Sequence, residues 1–260
     1  VAGALAGRVA VVTGAGAGIG AATAQLFAAE GAAVVVADLS GRRAEATAEQ
    51  LAAAGGRAAW IKMDAADPAG MQATVQLARD RYGRLDVMVN NAGHAEVGAL
   101  AELSLERWRR TLDVTLTSVF LGLRACWPVM RAQGGGAVVN TASISGTAGD
   151  YGMAAYNAAK AGVINLTRSA ALEGARVGIR VNCVCPGAID TRAPVLMAGD
   201  RADEYRAAQA AVTPLGRLGT AEEIARAVLF LASPAAAFIT GAALVADGGL
   251  TAHTGLPPFV

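Results

Sequence analysis

The chain has 260 residues, 54% of them apolar and 17% charged, and its 22 Lys+Arg against 21 Asp+Glu leave a formal charge of +1. That balance argues against a generic polyanion binder, and the high apolar content argues against disorder. The 32 glycines follow no Gly-X-Y period, which excludes a collagen-like chain.

In chain order, residues 9–13 (VAVVT) read as strand, 19–30 as helix, 33–37 (AVVVA) as strand, 42–54 as helix and 58–63 as strand. Residues 68–82 read as helix, with Asp67 as N-cap ahead of a proline in the first turn. Strand at 85–90 (LDVMVN), mostly helix at 104–131 with Ser104 and Arg107 framing its start, strand at 137–141, helix at 153–174 and strand at 179–184 follow. A polar segment at 193–212 precedes helix 221–231 and a last strand at 242–246. The βα alternation recurs about six times, with strands apolar on both faces, the pattern of a parallel sheet covered by helices on both sides. Right-handed crossovers make that a doubly wound α/β sheet. Neither linker nor fixed repeat divides the chain, so residues 1–260 are expected to form a single domain.

Cys126, Cys183 and Cys185 are too few for a disulfide framework. Cys183 and Cys185, two apart on a strand, share a face and read as small reduced core residues. No His or acid follows them at ligand spacing, so no metal site is expected. The start, VAGALAGRVAVVTG, lacks the basic region and cleavage pattern of a signal peptide. The longest uncharged stretch, 132–149, is too polar for a membrane span. A soluble protein of a reducing cytoplasm is expected, with neither nucleic acid nor membrane as partner.

Three groupings carry chemistry. The first strand runs into TGAGAGIG at 13–20, where a helix begins. Glycines there allow a tight turn and let a pyrophosphate approach N–H groups at a helix N-terminus. Both G-x-G-x-x-A (Gly16, Gly18, Ala21) and G-x-x-x-G-x-G (Gly14, Gly18, Gly20) fit. Asp38 closes the second strand, 20 residues after Gly18, where an acid binds adenosine ribose hydroxyls and repels a 2′-phosphate. The residues directly after it are Leu39 and Ser40, not Arg, although Arg42 and Arg43 are close; a helix-capping role is the structural alternative for Asp38. Tyr156 and Lys160 lie four apart, hence on one helix face. Ser143, 13 residues before Tyr156, ends a strand and can meet them at the carboxyl edge of the sheet. An ammonium beside a phenol favours phenolate, and the phenol then exchanges a proton with an alcohol oxygen.

With TGAGAGIG, NNAG at 90–93, Ser143, YNAAK at 156–160, PGAIDT at 186–191 and GRLGTAEEIARAVLFLAS at 216–233 in order, the chain resembles the short-chain dehydrogenase/reductase family from residue 8 to about 249. The resemblance implies a Rossmann-type sheet of about seven strands. It implies that Gly14, Gly18, Ile19 and Gly20 hold the pyrophosphate, that Asp38 binds the adenosine ribose and selects NAD over NADP, and that Asp64 and Ala65 flank adenine. Asn90, Ala92 and Gly93 are then the floor of the cofactor site, and Pro186, Gly187, Ile189 and Thr191 contact its nicotinamide end. Tyr156 is the implied general acid/base, Lys160 the group that binds the nicotinamide ribose and lowers the Tyr pKa, and Ser143 the orienting hydroxyl for substrate. Residues 193–212 are the implied substrate lid, and a homotetramer is implied, with small residues Ala154, Ala155, Ala158, Ala159 and Ala161 on its helix interface.

Thr115 departs from the pattern, which places Asn in this V-x-L context. A hydroxyl replacing an amide leaves two accounts open, a tolerated exchange or an altered proton relay. His94, next to NNAG, is a candidate substrate contact or a wall residue. His253 has no catalytic claim, and the tail 250–260 either covers a neighbouring subunit or frays. The expected function is hydride transfer between NAD(H) and a secondary alcohol or ketone. A 3-oxoacyl thioester reductase using NADPH and a non-catalytic nucleotide sensor on the same fold are the alternatives.

Overall fold

The computed structural model describes residues 3–191 and 199–252. Seven parallel strands, β1 (Val9–Thr13), β2 (Ala33–Asp38), β3 (Arg57–Lys62), β4 (Val87–Asn90), β5 (Gly136–Thr141), β6 (Ile179–Pro186) and β7 (Ala243–Ala246), form one sheet in the order β3-β2-β1-β4-β5-β6-β7. Every residue of β1, β2 and β4 is buried, while the edge strands β3 and β7 are partly exposed. That contrast explains why the central strands read as unbroken apolar runs.

Alternate residues of each strand feed two cores. Ala10 and Val12 face Phe27 of α1 (Gly18–Ala29), Leu51 of α2 (Gly41–Ala53) and Ile224 and Val228 of α8 (Ala221–Ala232). Val9 and Val11 face Met71 and Val75 of α3 (Pro68–Tyr82), Val119 of α5 (Ser118–Ala132) and Val163 of α6 (Ala154–Ala175). Cys183 and Cys185 lie on that second face, fully buried, as their spacing predicts.

Local signals set the helix ends. Asp67 accepts from Ala69 N and Gly70 N ahead of Pro68. Ser104 accepts from Arg107 N at the start of α4 (Leu105–Leu112), and Thr220 with Glu223 forms a capping box on α8. The expected single helix over 104–131 is interrupted by a π turn, Asp113–Thr117. The run Leu105–Ala132 is the one helix among the described residues long and apolar enough to cross a membrane. Here its apolar face, from Val119 to Met130, packs on the sheet beside α3 and α6.

The segment expected at 193–212 is described from residue 199 onward, where Gly199–Arg201 and α7 (Ala202–Val212) are helical; its first part, and the tail from His253, lie outside the described residues. The chain reverses direction across the sheet between β1 and β4. Doubly wound folds open a ligand crevice at that point, beyond the carboxyl ends of the strands.

Candidate active site

The crevice is floored by the turn after β1. Gly14 and Gly18 have φ of +62° and +55°, values that L side chains rarely adopt. A Cβ on Gly20 would lie 2.2 Å from Gly14 O, so only glycine lets α1 start this close to the strand. Helix α1, with Ile19 in its first turn, begins at Ala17 without a side-chain cap and without an acid in its first turn, whereas α2, α3, α4 and α8 are all capped by side chains. Its first N–H groups therefore remain available to an anion. Thr191 is carried over this turn, its methyl 3.6 Å from where a Gly18 Cβ would stand.

The loop after β6 is fixed from outside. Gly187 N donates to Ala246 O at 3.1 Å, and Ile189 makes an isolated parallel bridge with Gly219. Asp190 N donates to Gly219 O, and the Asp190 carboxylate pairs with Arg206 of α7 at 3.1 Å. Of Pro186, Gly187, Ile189 and Thr191, Thr191 is the one that reaches the turn before α1, while Gly187 and Ile189 are held by Ala246 and Gly219.

At the end of β2, Asp38 does not cap α2; Ser40 does. The buried Asp38 carboxylate instead accepts from Gly16 N at 3.0 Å, Ser40 N at 2.8 Å and Arg43 Nη2 at 3.0 Å. Of the two arginines close in sequence, Arg43 is brought back to Asp38 by the first turn of the helix. Asp64, after β3, accepts from Ala66 N at 3.0 Å beside buried Ala65.

Asn90 does not present its side chain to this floor. Its amide is buried and donates to Asn140 Oδ1 at 2.9 Å, and Asn140 donates in turn to Thr167 Oγ1. The residue that braces the turn is Asn91, which the sequence reading passed over. Asn91 Nδ2 donates to Thr13 O at 3.0 Å and Gly14 O at 3.3 Å, and its Oδ1 accepts from Thr141 Oγ1 at 3.2 Å. Its position as the first residue past a buried strand was the available signal. Ala92 packs so tightly on the turn that a Cβ on Gly14 would lie 3.0 Å from its Cα.

Ser143, Tyr156 and Lys160 converge beyond β5. Ser143 accepts from Ser145 N at 3.2 Å and donates to Ser145 Oγ at 3.2 Å, and its hydroxyl acts on the Tyr156 phenol in the direction that favours phenolate. Lys160, on the next turn of α6, is buried and donates from Nζ to Thr141 O. Its Nζ lies 5.5 Å from the centre of the Tyr156 ring and 3.7 Å from where a Gly93 Cβ would stand. Burial pushes the Tyr156 phenol up to about 12, against the Ser143 hydrogen bond that favours phenolate, with exposed Asp150 adding to the rise. Burial brings the Lys160 ammonium down to about 8. In the free chain burial is the largest cause acting on each of the two groups.

Thr115, in the π turn, is fully buried. Its Oγ1 donates to His94 O at 2.8 Å and accepts from His94 N at 3.0 Å. One hydroxyl supplies both halves of the brace. The His94 ring lies 3.0 Å from Glu96, which Arg107 also holds at 2.7 Å. Those two contacts, His94 first, keep the Glu96 carboxyl below its usual range.

This arrangement can seat a dinucleotide along β1, β2 and β4 and move a proton at an oxygen held by Ser143. A sequence family described as Enoyl-(Acyl carrier protein) reductase matches residues 14–251. The cis-4-hydroxycyclohexanecarboxylate dehydrogenase of Sinomonas cyclohexanicum is 50% identical over 96% of this chain and 98% of its own. The cyclohexanol dehydrogenase of Acinetobacter sp. (strain SE19) is 45% identical over 94% and 95%. A crystal structure from Burkholderia xenovorans, described as a short-chain dehydrogenase/reductase, superposes with a TM-score of 0.92 at 39% identity, covering 97% of this chain and 99% of that one.

Proposed function

The chain belongs to the short-chain dehydrogenase/reductase family, and from that premise we propose that it is an NAD-dependent dehydrogenase of an alicyclic secondary alcohol, running in reverse as a ketone reductase. The observation that carries the reading is the meeting of Tyr156 and Lys160 with Ser143 across the 92–93 loop from the glycine turn. The ring-alcohol class is supported by the substrates in the names of the two relatives.

In this reading Gly14, Gly18, Ile19 and Gly20 take the pyrophosphate, Asp38 the adenosine ribose, and Asp64 with Ala65 the adenine edge. Ala92 and Gly93 lie under the nicotinamide half, Lys160 binds its ribose, and Pro186, Gly187, Ile189 and Thr191 bound its far end. The bound dinucleotide supplies the hydride acceptor or donor. Ser143 orients the substrate oxygen, and Tyr156 moves the proton at that oxygen. In the ketone direction the neutral phenol donates; in the alcohol direction phenolate accepts. Because the free chain holds the phenol at about 12, alcohol oxidation is expected to accelerate with pH through the alkaline range. The buried Asp38 carboxylate favours NAD and opposes the thioester-reductase reading that goes with NADPH.

The test is a panel of cyclohexanol, 4-hydroxycyclohexanecarboxylate and open-chain secondary alcohols with NAD⁺ and NADP⁺ in parallel. Turnover of a ring alcohol with NAD⁺ is expected, and its loss by ~10²–10⁴-fold in Tyr156→Phe, with NADH binding retained. No turnover of any alcohol alongside intact NADH binding supports the sensor reading instead, and unchanged turnover in Tyr156→Phe sinks the mechanism.

We also infer a cytoplasmic homotetramer with residues 193–212 as substrate lid. The reduced, buried thiols support the location. An outward α6 face carrying Ala158, Ala161 and the 77% exposed Leu172 supports the assembly, although Ala155 and Ala159 face the core rather than a partner. Sedimentation of a monomer at micromolar concentration would remove the tetramer.

A further inference from the structure

A groove of about 710 Å³ opens at the amino edge of the sheet, at the end opposite the crevice, between the starts of β4, β5 and β6 and the turn 234–240. Its size is that of a small-molecule pocket. The floor is bare main chain: a Cβ on Gly135 would lie 2.5 Å from Gly178 O, so the turns entering β5 and β6 touch without side chains between them. The outer wall is fixed. Arg180 donates to Leu231 O, Ala232 O and Ser233 O at the end of α8, and Asn182 Nδ2 holds Ile239 O at 2.9 Å.

The chemistry of the lining is unbalanced. Arg8 and Arg84 both bind the Asp86 carboxylate, and with Val9 N they donate four hydrogen bonds to it, two on each oxygen. A carboxylate offers about four acceptor positions, so Asp86 is saturated. Among the described residues, Arg8 Nε and Nη2 and Arg84 Nη1 have no acceptor, and the two side chains are 49% and 47% exposed. With Arg180, the groove carries three guanidiniums against one carboxylate. Ile239 and the fully exposed ring of Phe238 add an apolar side. An anion with an apolar body answers both: its oxygens accept from the spare guanidinium donors, and its body covers exposed apolar surface. We propose that this groove binds a small organic anion, a carboxylate carried on a ring or a short apolar chain, at a site separate from the active site.

The experiment is a saturation-transfer NMR titration of benzoate at neutral pH into wild type, Ala237→Glu, Ala237→Gln and Arg8→Gln, with benzamide and inorganic phosphate as further probes. Ala237 lines the groove and is exposed, so a longer side chain there leaves the core untouched. Benzoate is expected to bind wild type with a dissociation constant near ~1 mM. Benzamide and phosphate, which each match one half of the groove, are expected to bind about tenfold more weakly or worse. Ala237→Glu sets a like charge beside the anion and is expected to weaken benzoate by about tenfold or more, with turnover and melting temperature unchanged. Arg8→Gln is expected to weaken benzoate several-fold, and Ala237→Gln to change it little. Benzoate binding that Ala237→Glu leaves intact lies elsewhere and overturns the proposal. So does the absence of benzoate binding, or benzamide or phosphate binding as tightly as benzoate. A smaller assembly of Phe238→Ser in sedimentation would give this face to a second copy of the chain and would overturn it as well.

Discussion

Thr115 shows how one atom can stand in for an amide. Its hydroxyl pins His94 N and His94 O together, and the Gly93 immediately before them lies against the Lys160 ammonium. Thr115→Val keeps the shape and removes both bonds. Two part-buried main-chain groups then lose their partner, at up to about 1–3 kcal/mol for each unsatisfied group, and the loop beside Lys160 loosens. A fall in kcat with a lowered Tm is expected for Val, near wild-type values for Ser, and turnover within a few-fold of wild type for Asn, which also donates and accepts. Steady-state kinetics with thermal melts of the three variants check this; a large gain in turnover for Asn would instead mean that Thr115 impairs the relay. At this scale the sequence was most legible where a motif names a side chain, as for Ser143, Tyr156 and Lys160. It was least legible where partners come from distant segments. Nothing in the residues between 91 and 141 says that Asn91 bonds Thr141, and the phenol's high pKa follows from burial, which spacing does not report.

Among the elements, α5 owes its approach to β4 to a single missing methyl. A Cβ on Gly122 would lie 1.9 Å from Asn90 Oδ1, so the helix lies directly on the amide that starts the chain from Asn90 through Asn140 to Thr167. Gly122→Ala would push Asn90 off Asn140. Overpacking costs about 1–3 kcal/mol, and a broken buried hydrogen bond a similar amount. Denaturant unfolding should show a loss of several kcal/mol, and a loss below ~1 kcal/mol, the ordinary gain of a helical Gly→Ala exchange aside, would mean the helix shifts freely. Element boundaries were readable where a cap or proline marks them, as at Asp67–Pro68. The π turn at Asp113–Thr117 was not, because the apolar pattern of 105–132 continues through it without a break.

For the molecule as a whole, a doubly wound parallel sheet was legible in the βα alternation and crossover handedness, but the strand order and the ties at the amino edge of the sheet were not. There the buried Asp86 carboxylate receives Arg8 at 2.8 Å, Arg84 at 2.6 Å and Val9 N at 2.9 Å, closing β1 and β4 at the end opposite the site. Burial works to raise its pKa, but the bonds from Arg84, Arg8 and Val9 outweigh it and hold the carboxyl below the usual range. A lowered folded value means that its contribution is complete above the unfolded value of ~3.9 and is lost as pH falls through the lower folded one. Asp86→Asn is expected to destabilise at pH 7 by on the order of 1–3 kcal/mol. That gap should close as melts are taken down toward pH 3; a gap that is constant with pH would assign the loss to packing alone.

The three thiols lie together in the core on one face of that sheet. Cys126, Cys183 and Cys185 are each 0% exposed, one on α5 and two on one face of β6, all within the same core. A reagent that reacts only with accessible thiol meets none of them until that core parts. The rate at which this chain takes up such a label is therefore a clock for its deepest opening, and a nucleotide held along the carboxyl edge would slow the clock by the strength of its own binding.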